Sequence, residues 1–222
     1  MKIPNNVPQS KNARFRIDGV SHGVAGWHTE AEESLLIELA TRVPDSGRIV
    51  EVGGEYGRSA CEFAFATRGT EIEIFTIDLF PTNHPKVGDL LKTYNYHLNA
   101  CGLAQRVNPI RGGSHDPSIA SELGRDGGID LLFIDANHTY NFVKGDIENW
   151  LPHVKEGGII IFHDYAKDDN AHWTHFEVKR AVDEFVINDP NYMTLGGMVD
   201  STRWYTKNRQ PQAKPDRDWE TK

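Results

Sequence analysis

Two short apolar runs, each ending abruptly in polar residues, constrain this chain most. Ile129–Ile134 reads Ile-Asp-Leu-Leu-Phe-Ile, and Gly158–Phe162 reads Gly-Ile-Ile-Ile-Phe. A strand with one face in water alternates apolar and polar residues, whereas a near-continuous apolar run suits a strand covered on both faces, as in a parallel sheet flanked by helices. The first run ends in Asp135-Ala136-Asn137-His138 and the second in His163-Asp164-Tyr165. In an open parallel sheet, ligands bind beyond the carboxyl ends of the strands. Function is therefore sought at those ends.

The rest of the chain alternates strand-like and helix-like segments, which argues an α/β domain with a mainly parallel sheet. Thr29 and Glu32 have capping-box spacing and predict a helix start. Leu35, Leu36, Leu39 and Val43 follow at helical spacing, and Pro44 ends the run. A strand at Arg48 to Val52 leads through a glycine-rich turn into a helix from Ser59 to Thr67. A strand at Glu71 to Asp78 gives way to an irregular, proline-flanked loop, and a helix from Val87 to Cys101 is closed by Gly102. Arg106 to Arg111 reads as a strand that Pro109 confines to an edge or an end. A helix ending near Trp150-Leu151-Pro152 joins the two apolar strands. Trp173 to Ile187 is a further helix, and short strands near Tyr192 to Leu195 and Thr202 to Tyr205 complete the domain. This divides the chain into an N-terminal extension or cleft lid (1–28), an α/β domain (29–206) and a charged, mobile tail (207–222).

Composition narrows the function classes. The 222 residues suit one domain with trimmings. With 24 Lys and Arg against 32 Asp and Glu, the net charge is −8, which disfavours nucleic acid as a partner. No apolar run reaches the roughly 18 to 20 residues that span a bilayer, so no membrane partner is expected. The start, Met1-Lys2-Ile3-Pro4, lacks the apolar stretch of a signal peptide. Cys61 and Cys101 form neither a disulfide framework nor a metal-ligand spacing. Together these point to the cytoplasm. Ten histidines invite a metal or acid–base reading, which position must decide.

Four strand ends carry the candidates. Glu51-Val52-Gly53-Gly54-Glu55-Tyr56-Gly57-Arg58-Ser59 offers glycines for a close backbone approach and a helix start with free N–H groups. It lacks the Gly-x-Gly-x-x-Gly order of dinucleotide folds and the Gly-Lys-Ser/Thr of phosphate loops. Alone it divides evenly between a ligand cradle and a turn that uses glycine for geometry. Asp78 has the placement of an acid that accepts from a ribose diol, although a helix cap explains it equally well in isolation. Gly112-Gly113-Ser114 is a weak signal for a flat ring against the backbone. The last two ends bring Asp135, His138, His163 and Asp164 into one cleft, where two carboxylates and a histidine can hold a divalent cation. A lone His is more often a satisfied ring and Asp164 an N-cap, but the joint placement favours function.

On these residues the chain resembles class I S-adenosylmethionine-dependent methyltransferases. Glu51-x-Gly53-x-x-x-Gly57-x-Ser59 resembles the glycine motif of the catechol O-methyltransferase-like group. Leu132 through Tyr140, Asp146, Trp150-Leu151-Pro152, Gly157-Gly158 and Phe162 through Tyr165 resemble the macrolide-sugar and cephalosporin-pathway branch, and Val178 to Phe185 fits its next helix. The resemblance spans Gly26 to Tyr205. It implies a Rossmann-like three-layer sandwich whose seven-stranded, mostly parallel sheet has its last strand antiparallel. S-adenosylmethionine is the implied cofactor. Glu51, Gly53 and Ser59 would line its methionine part, with Gly57 in the same loop. Asp78 would hold its ribose, Gly113 and Ser114 would lie by its adenine, and Asp135 would border it.

Asp135 and Asp164 would also ligate a metal, Mg²⁺ first, and His138 matches the position of the general base. Two departures stand out. Glu55 replaces the middle glycine of the commoner motif, and His163 stands where relatives often carry an acid. That His turns preference toward Mn²⁺ or Fe²⁺, or leaves the metal site incomplete. The implied activity is metal-assisted methyl transfer to a hydroxyl of a small molecule: a sugar, a polyphenol or a natural-product intermediate. Relatives commonly self-associate, so a homo-oligomer is expected. A nucleotide-cofactor oxidoreductase and a non-catalytic S-adenosylmethionine-binding protein are the alternatives. The acceptor would be read by the loops Leu79 to Lys86 and Ala166 to Trp173. Trp27 would pack in the core, His28 belongs to the glycine-rich leader, His84 could touch substrate, and His115 would cap the next helix.

Overall fold

The computed structural model of the protein describes residues 15–17, 20–22, 24–165, 173–187 and 193–208. A small hairpin comes first, pairing β1 (Phe15–Ile17) with β2 (Val20–His22) antiparallel. The main sheet contains β3 (Arg48–Val52), β4 (Glu73–Asp78), β5 (Val107–Arg111), β6 (Ile129–Ile134), β7 (Val154–Phe162), β8 (Met193–Val199) and β9 (Thr202–Lys207). Its seven strands lie in the order β5-β4-β3-β6-β7-β9-β8. Strands β3 to β7 pair in parallel, and β9 inserts antiparallel between β7 and β8. The mostly parallel, seven-stranded sheet with its last strand antiparallel is the architecture expected.

Among the described residues, six α-helices cover it: α1 (Glu30–Ala40), α2 (Arg58–Ala66), α3 (Leu90–Ala100), α4 (Pro117–Leu123), α5 (Tyr140–Trp150) and α6 (Trp173–Val182), the last continued by a π turn at Asp183–Ile187. The two apolar runs explain the layers. Leu131, Phe133, Ile159 and Ile161 point into a core shared with α1, α2 and α3. Their neighbours Leu132, Ile134, Ile160 and Phe162 point into a second core under α4, α5 and α6. Successive residues of a strand face opposite sides, so a continuous apolar run fills both cores at once.

Local signals acted largely as expected. Thr29 caps α1, and the capping box with Glu32 is closed in both directions. Pro109 sits in β5, the outermost strand, where a missing N–H costs nothing on the open side. Three features differ. The β1–β2 hairpin has no signal in the sequence and α4 none beyond a helix start near His115; each is too short to show a period. β9 runs to Lys207, and the buried Lys207 ammonium donates to the carbonyls of Leu151 and Val154, both at 2.6 Å. Lys207 therefore belongs to the sheet rather than to the tail. The tail beyond Asn208, the loop 166–172, His172 and the side chains of His22 and His175 lie outside the described residues.

Candidate active site

Strands β3, β4, β6 and β7 run in one direction, so Val52, Asp78, Ile134 and Phe162 all reach the same edge of the sheet. A cleft of about 630 Å³ opens there. Among its lining residues are Gly53, Ser59, Asp78, Gly113, Ser114, Asp135, His138, His163 and Asp164.

The backbone is drawn tight at the floor of this cleft. Gly53 N–H donates to the Ile77 carbonyl at 2.8 Å, and Asp135 N–H donates to the Val52 carbonyl at 2.8 Å. Gly53 has φ +98°, and a Cβ there would lie 2.2 Å from the Asp135 carbonyl oxygen. Only glycine fits both the conformation and the approach. Asp78 organises the turn that follows β3. One carboxylate oxygen accepts from the N–H groups of Gly54 (3.0 Å) and Glu55 (3.1 Å), and the other from Phe80 N–H at 2.7 Å.

Glu51 and Gly57 do not line the cleft. Within β3, Val50 and Val52 face the α4–α6 core, so Glu51 points to the opposite side, under α2 and α3. It is fully buried and accepts from the Ser59 hydroxyl and from Thr76 Oγ1 at 2.5 Å; Thr76 in turn accepts from Tyr94 at 2.7 Å. Burial pushes the Glu51 carboxyl up to about 8, with the two hydroxyls offsetting part of that effect. Gly57 adopts φ +86° as the N-cap of α2, against the Tyr94 ring. Both residues shape the glycine turn from behind.

The far end of the cleft is set by α5. The Ser114 carbonyl accepts from Trp150 Nε1 and Asn149 Nδ2, each at 2.8 Å, which fixes the Gly112–Ser114 turn. His115 does not cap α4; Asp116 does, accepting from Ser118 N–H at 2.9 Å. The His115 ring instead stacks on Phe142, with centroids 5.1 Å apart, and sits 3.2 Å from the buried Asp146. Burial pushes Asp146 up to about 6, against the pull of Ser114 and His115. Trp27 is no core residue: it is 62% exposed at the rim of the cleft, and its indole N–H donates to Glu55 at 3.1 Å.

The polar centre forms where β6 and β7 end. His163 Nδ1 lies 3.2 Å from Asp135 and 3.6 Å from Asp164. His138 Nε2 lies 3.5 Å from Asp135 and 3.2 Å from Asp164, so the residues read at both strand ends meet in space. A third histidine joins them. His28, read only as part of the leader, is buried with Nε2 3.9 Å from Asp135 and Nδ1 2.9 Å from Glu62. Nothing local in the sequence marks it, because its partners lie on distant elements. Glu62 is itself held by Arg58 at 2.9 Å, and Glu32 of the α1 capping box faces His163 Nε2 at 3.5 Å.

These carboxylates and rings set one another's charge. Burial opposes charge on His28, but Glu62 and Asp135 outweigh it and raise the ring to about 9. Burial likewise opposes charge on His163, yet Asp135, Asp164 and Glu32 hold it well above the usual imidazole range. Asp135 would be raised by burial; His163, His138 and His28 hold it well below the usual carboxylate range. His138 is raised, burial again being outweighed by Asp135 and Asp164. Among the described residues, Asp135-His138-Asp164 and His28-Asp135-His163 each bring three ligand atoms within 4.8 Å of one another. Carboxylate and imidazole donors in that number fit a divalent metal.

A sheet of this order, with a glycine turn, a strand-end acid and a charged centre on one edge, defines a Rossmann-like, small-ligand α/β domain. The chain belongs to the methyltransferase domain family, whose model matches residues 50–165. One relative, the uncharacterized protein y4gI of Sinorhizobium fredii (strain NBRC 101917 / NGR234), is 31% identical over 121 residues, covering 53% of this chain. The chain spans only 13% of that relative's length. In fold it is similar to the Podospora anserina methyltransferase PaMTH1, solved with S-adenosylhomocysteine bound (TM-score 0.59, 22% identity, 82% of this chain and 80% of that one). It is similar too to the O-methyltransferase TomG of Streptomyces achromogenes, involved in tomaymycin synthesis and solved with S-adenosylmethionine (TM-score 0.59, 18% identity, 84% and 83% of the chains).

Proposed function

We propose that the chain is an S-adenosylmethionine-dependent O-methyltransferase that acts on a hydroxyl of a small molecule with the help of a divalent ion. The observation that carries this reading is the meeting of Asp135, His138, His163 and Asp164 beside the cradle formed by Gly53, Ser59 and Asp78, within one cleft. Methyl transfer from a sulfonium is an in-line displacement, so holding donor and acceptor in line supplies much of the rate. The close-packed Gly53 turn and the anchored Asp78 give the donor a rigid seat, with Gly113 and Ser114 by its adenine. Asp135, Asp164 and His163 would hold the ion, Mg²⁺ or, given the imidazole, Mn²⁺ or Fe²⁺. When bound, the ion lowers the pKa of an acceptor hydroxyl. His138 would take the acceptor proton: its Nε2 lies 3.5 Å from Asp135 and 3.2 Å from Asp164, and with those carboxylates engaged by the ion they would no longer favour a proton on the ring.

The acceptor is a free small molecule rather than a nucleic acid: the net charge is −8, and Trp27, Leu79 and Phe142 give the rim an apolar character. A sugar, a polyphenol or a natural-product intermediate fits that rim; a cytoplasmic location fits the composition, and self-association is what the resemblance implies. No helix among the described residues is long and apolar enough to cross a membrane. A second reading, a protein that binds S-adenosylmethionine without transferring its methyl group, is favoured by one observation: His138 and His163 already counter the charge of Asp135 and Asp164. Incubation with S-adenosylmethionine and a panel of catechols, glycosides and macrolides separates the two. Formation of S-adenosylhomocysteine supports transfer; donor binding with no product from any acceptor supports the second reading.

A further inference from the structure

The residues expected to hold the ion leave one buried imidazole of the polar centre, His28, unused. We propose that His28 is a further metal ligand, completing with Asp135 and His163 a nitrogen-rich site that selects a first-row transition ion such as Zn²⁺ over Mg²⁺. This rests on the reading that the centre holds a divalent ion. Three geometric facts support it.

First, the spacing suits one shared ion. Donors bound at about 2.0–2.2 Å in tetrahedral or octahedral geometry lie about 3–3.5 Å apart. His163 Nδ1 is 3.2 Å from one Asp135 oxygen, His28 Nε2 is 3.9 Å from the other, and one ligand atom from each of the three residues lies within 4.8 Å of the other two, so the donors converge on one centre. Second, each ring is backed by a buried carboxylate on its far nitrogen. Glu62 meets His28 Nδ1 at 2.9 Å and Glu32 faces His163 Nε2 at 3.5 Å, leaving Nε2 of one ring and Nδ1 of the other directed at Asp135. A carboxylate behind a histidine is the arrangement that fixes tautomer and ring orientation at metal centres. Third, those carboxylates are themselves anchored: Glu62 by Arg58 at 2.9 Å, and Glu32 by Ser201 N–H at 2.9 Å and Thr29 N–H at 3.0 Å. Two imidazoles on one carboxylate are a poor match to Mg²⁺, which takes oxygen donors, and a good one to ions that accept nitrogen.

The test loads the full chain with Zn²⁺ and counts imidazole ligands by X-ray absorption, with Mg²⁺ competition and calorimetric titration beside it. Expected are Zn²⁺ retention against equal Mg²⁺, one imidazole fewer in His28→Gln, and a loss of Zn²⁺ affinity of tenfold or more in that variant. Glu62→Gln keeps the ring but loses its orienting charge, and should weaken Zn²⁺ by about 10–100-fold. Circular dichroism reports whether each variant is folded; failure of S-adenosylhomocysteine to bind the wild type, measured separately, would count against the cofactor reading without touching the zinc result. An unchanged imidazole count in folded His28→Gln, or displacement of Zn²⁺ by equal Mg²⁺, overturns the proposal. Should His28→Gln not fold, full Zn²⁺ affinity in Glu62→Gln overturns it too.

Discussion

Glu32 ties the start of the first helix to the histidine at the end of β7. One of its carboxylate oxygens accepts from Thr29 N–H in the α1 capping box. The other accepts from Ser201 N–H and faces His163 at 3.5 Å. Burial alone would raise this carboxyl, but His163 and the hydrogen bonds from Thr29 and Ser201 hold it well below the usual carboxylate range. A residue that reads in sequence as a helix-start signal is thus also part of the wall of the candidate site.

Removing that group should cost more than removing the cap alone. Thr29→Ala is expected to lower stability by about 1 kcal/mol, the usual value of an N-cap. Glu32→Ala leaves several donors without their acceptor in a buried place and should cost about 2–3 kcal/mol. Urea unfolding of the two variants checks this, and equal losses would show that the contacts of Glu32 with the β8–β9 turn and His163 contribute nothing.

Gly53→Ala tests the tight floor. A methyl group placed 2.2 Å from a backbone carbonyl, at φ +98°, forces β3 and β6 apart at their ends. The variant should lose at least tenfold in affinity for S-adenosylhomocysteine, read by calorimetry. Gly113→Ala, where a Cβ meets nothing within 4 Å, should leave the fold unchanged by circular dichroism.

Glu51 predicts a pH dependence. Its folded pKa of about 8 lies above the unfolded value of about 4.3, so the folded state holds the extra proton between those two values. Its contribution to stability is complete below about pH 4 and is lost as pH rises toward 8. Glu51→Gln, which keeps the contacts without the charge, should gain on the wild type across that window by up to about 1.4 kcal/mol per pH unit. Unfolding curves at pH 5, 6.5 and 8 that stay parallel would contradict the buried neutral carboxyl.

The fold was legible because its signals are local. The apolar runs at Ile129–Ile134 and Gly158–Phe162, the Thr29–Glu32 box and Pro109 each dictate a conformation or a layer within a few residues. The strand-end residues followed from the same logic, since parallel strands must end together. What the sequence did not reveal depends on pairing across distance. His28 became part of the centre only through Glu62, Asp135 and His163, contributed by α2, β6 and β7. Glu51 and Gly57 carry a motif suggesting ligand contact, but strand alternation and the packing of Tyr94 turn them away from the cleft. Lys207 looked like tail because a buried lysine is invisible until the carbonyls of Leu151 and Val154 are seen around it.

His138 and the ion make a paired prediction. His138→Ala should remove most turnover while S-adenosylhomocysteine still binds, because the ring lies at the mouth of the polar centre rather than under the donor's seat. A chelator in excess should abolish turnover of the wild type. Equal turnover in mutant and wild type would sink the base assignment, and full activity in excess EDTA would show that Asp135 and Asp164 hold no required ion.

The central claim is that this strand-end cleft is a seat for the S-adenosyl cofactor. Calorimetric titration of the purified chain with S-adenosylhomocysteine, beside an identical titration with NAD, tests it most directly. One S-adenosylhomocysteine per chain is expected, weakened by Asp78→Ala, with no heat from NAD. Saturable binding of NAD, or an absence of S-adenosylhomocysteine binding in the folded wild type, would contradict it.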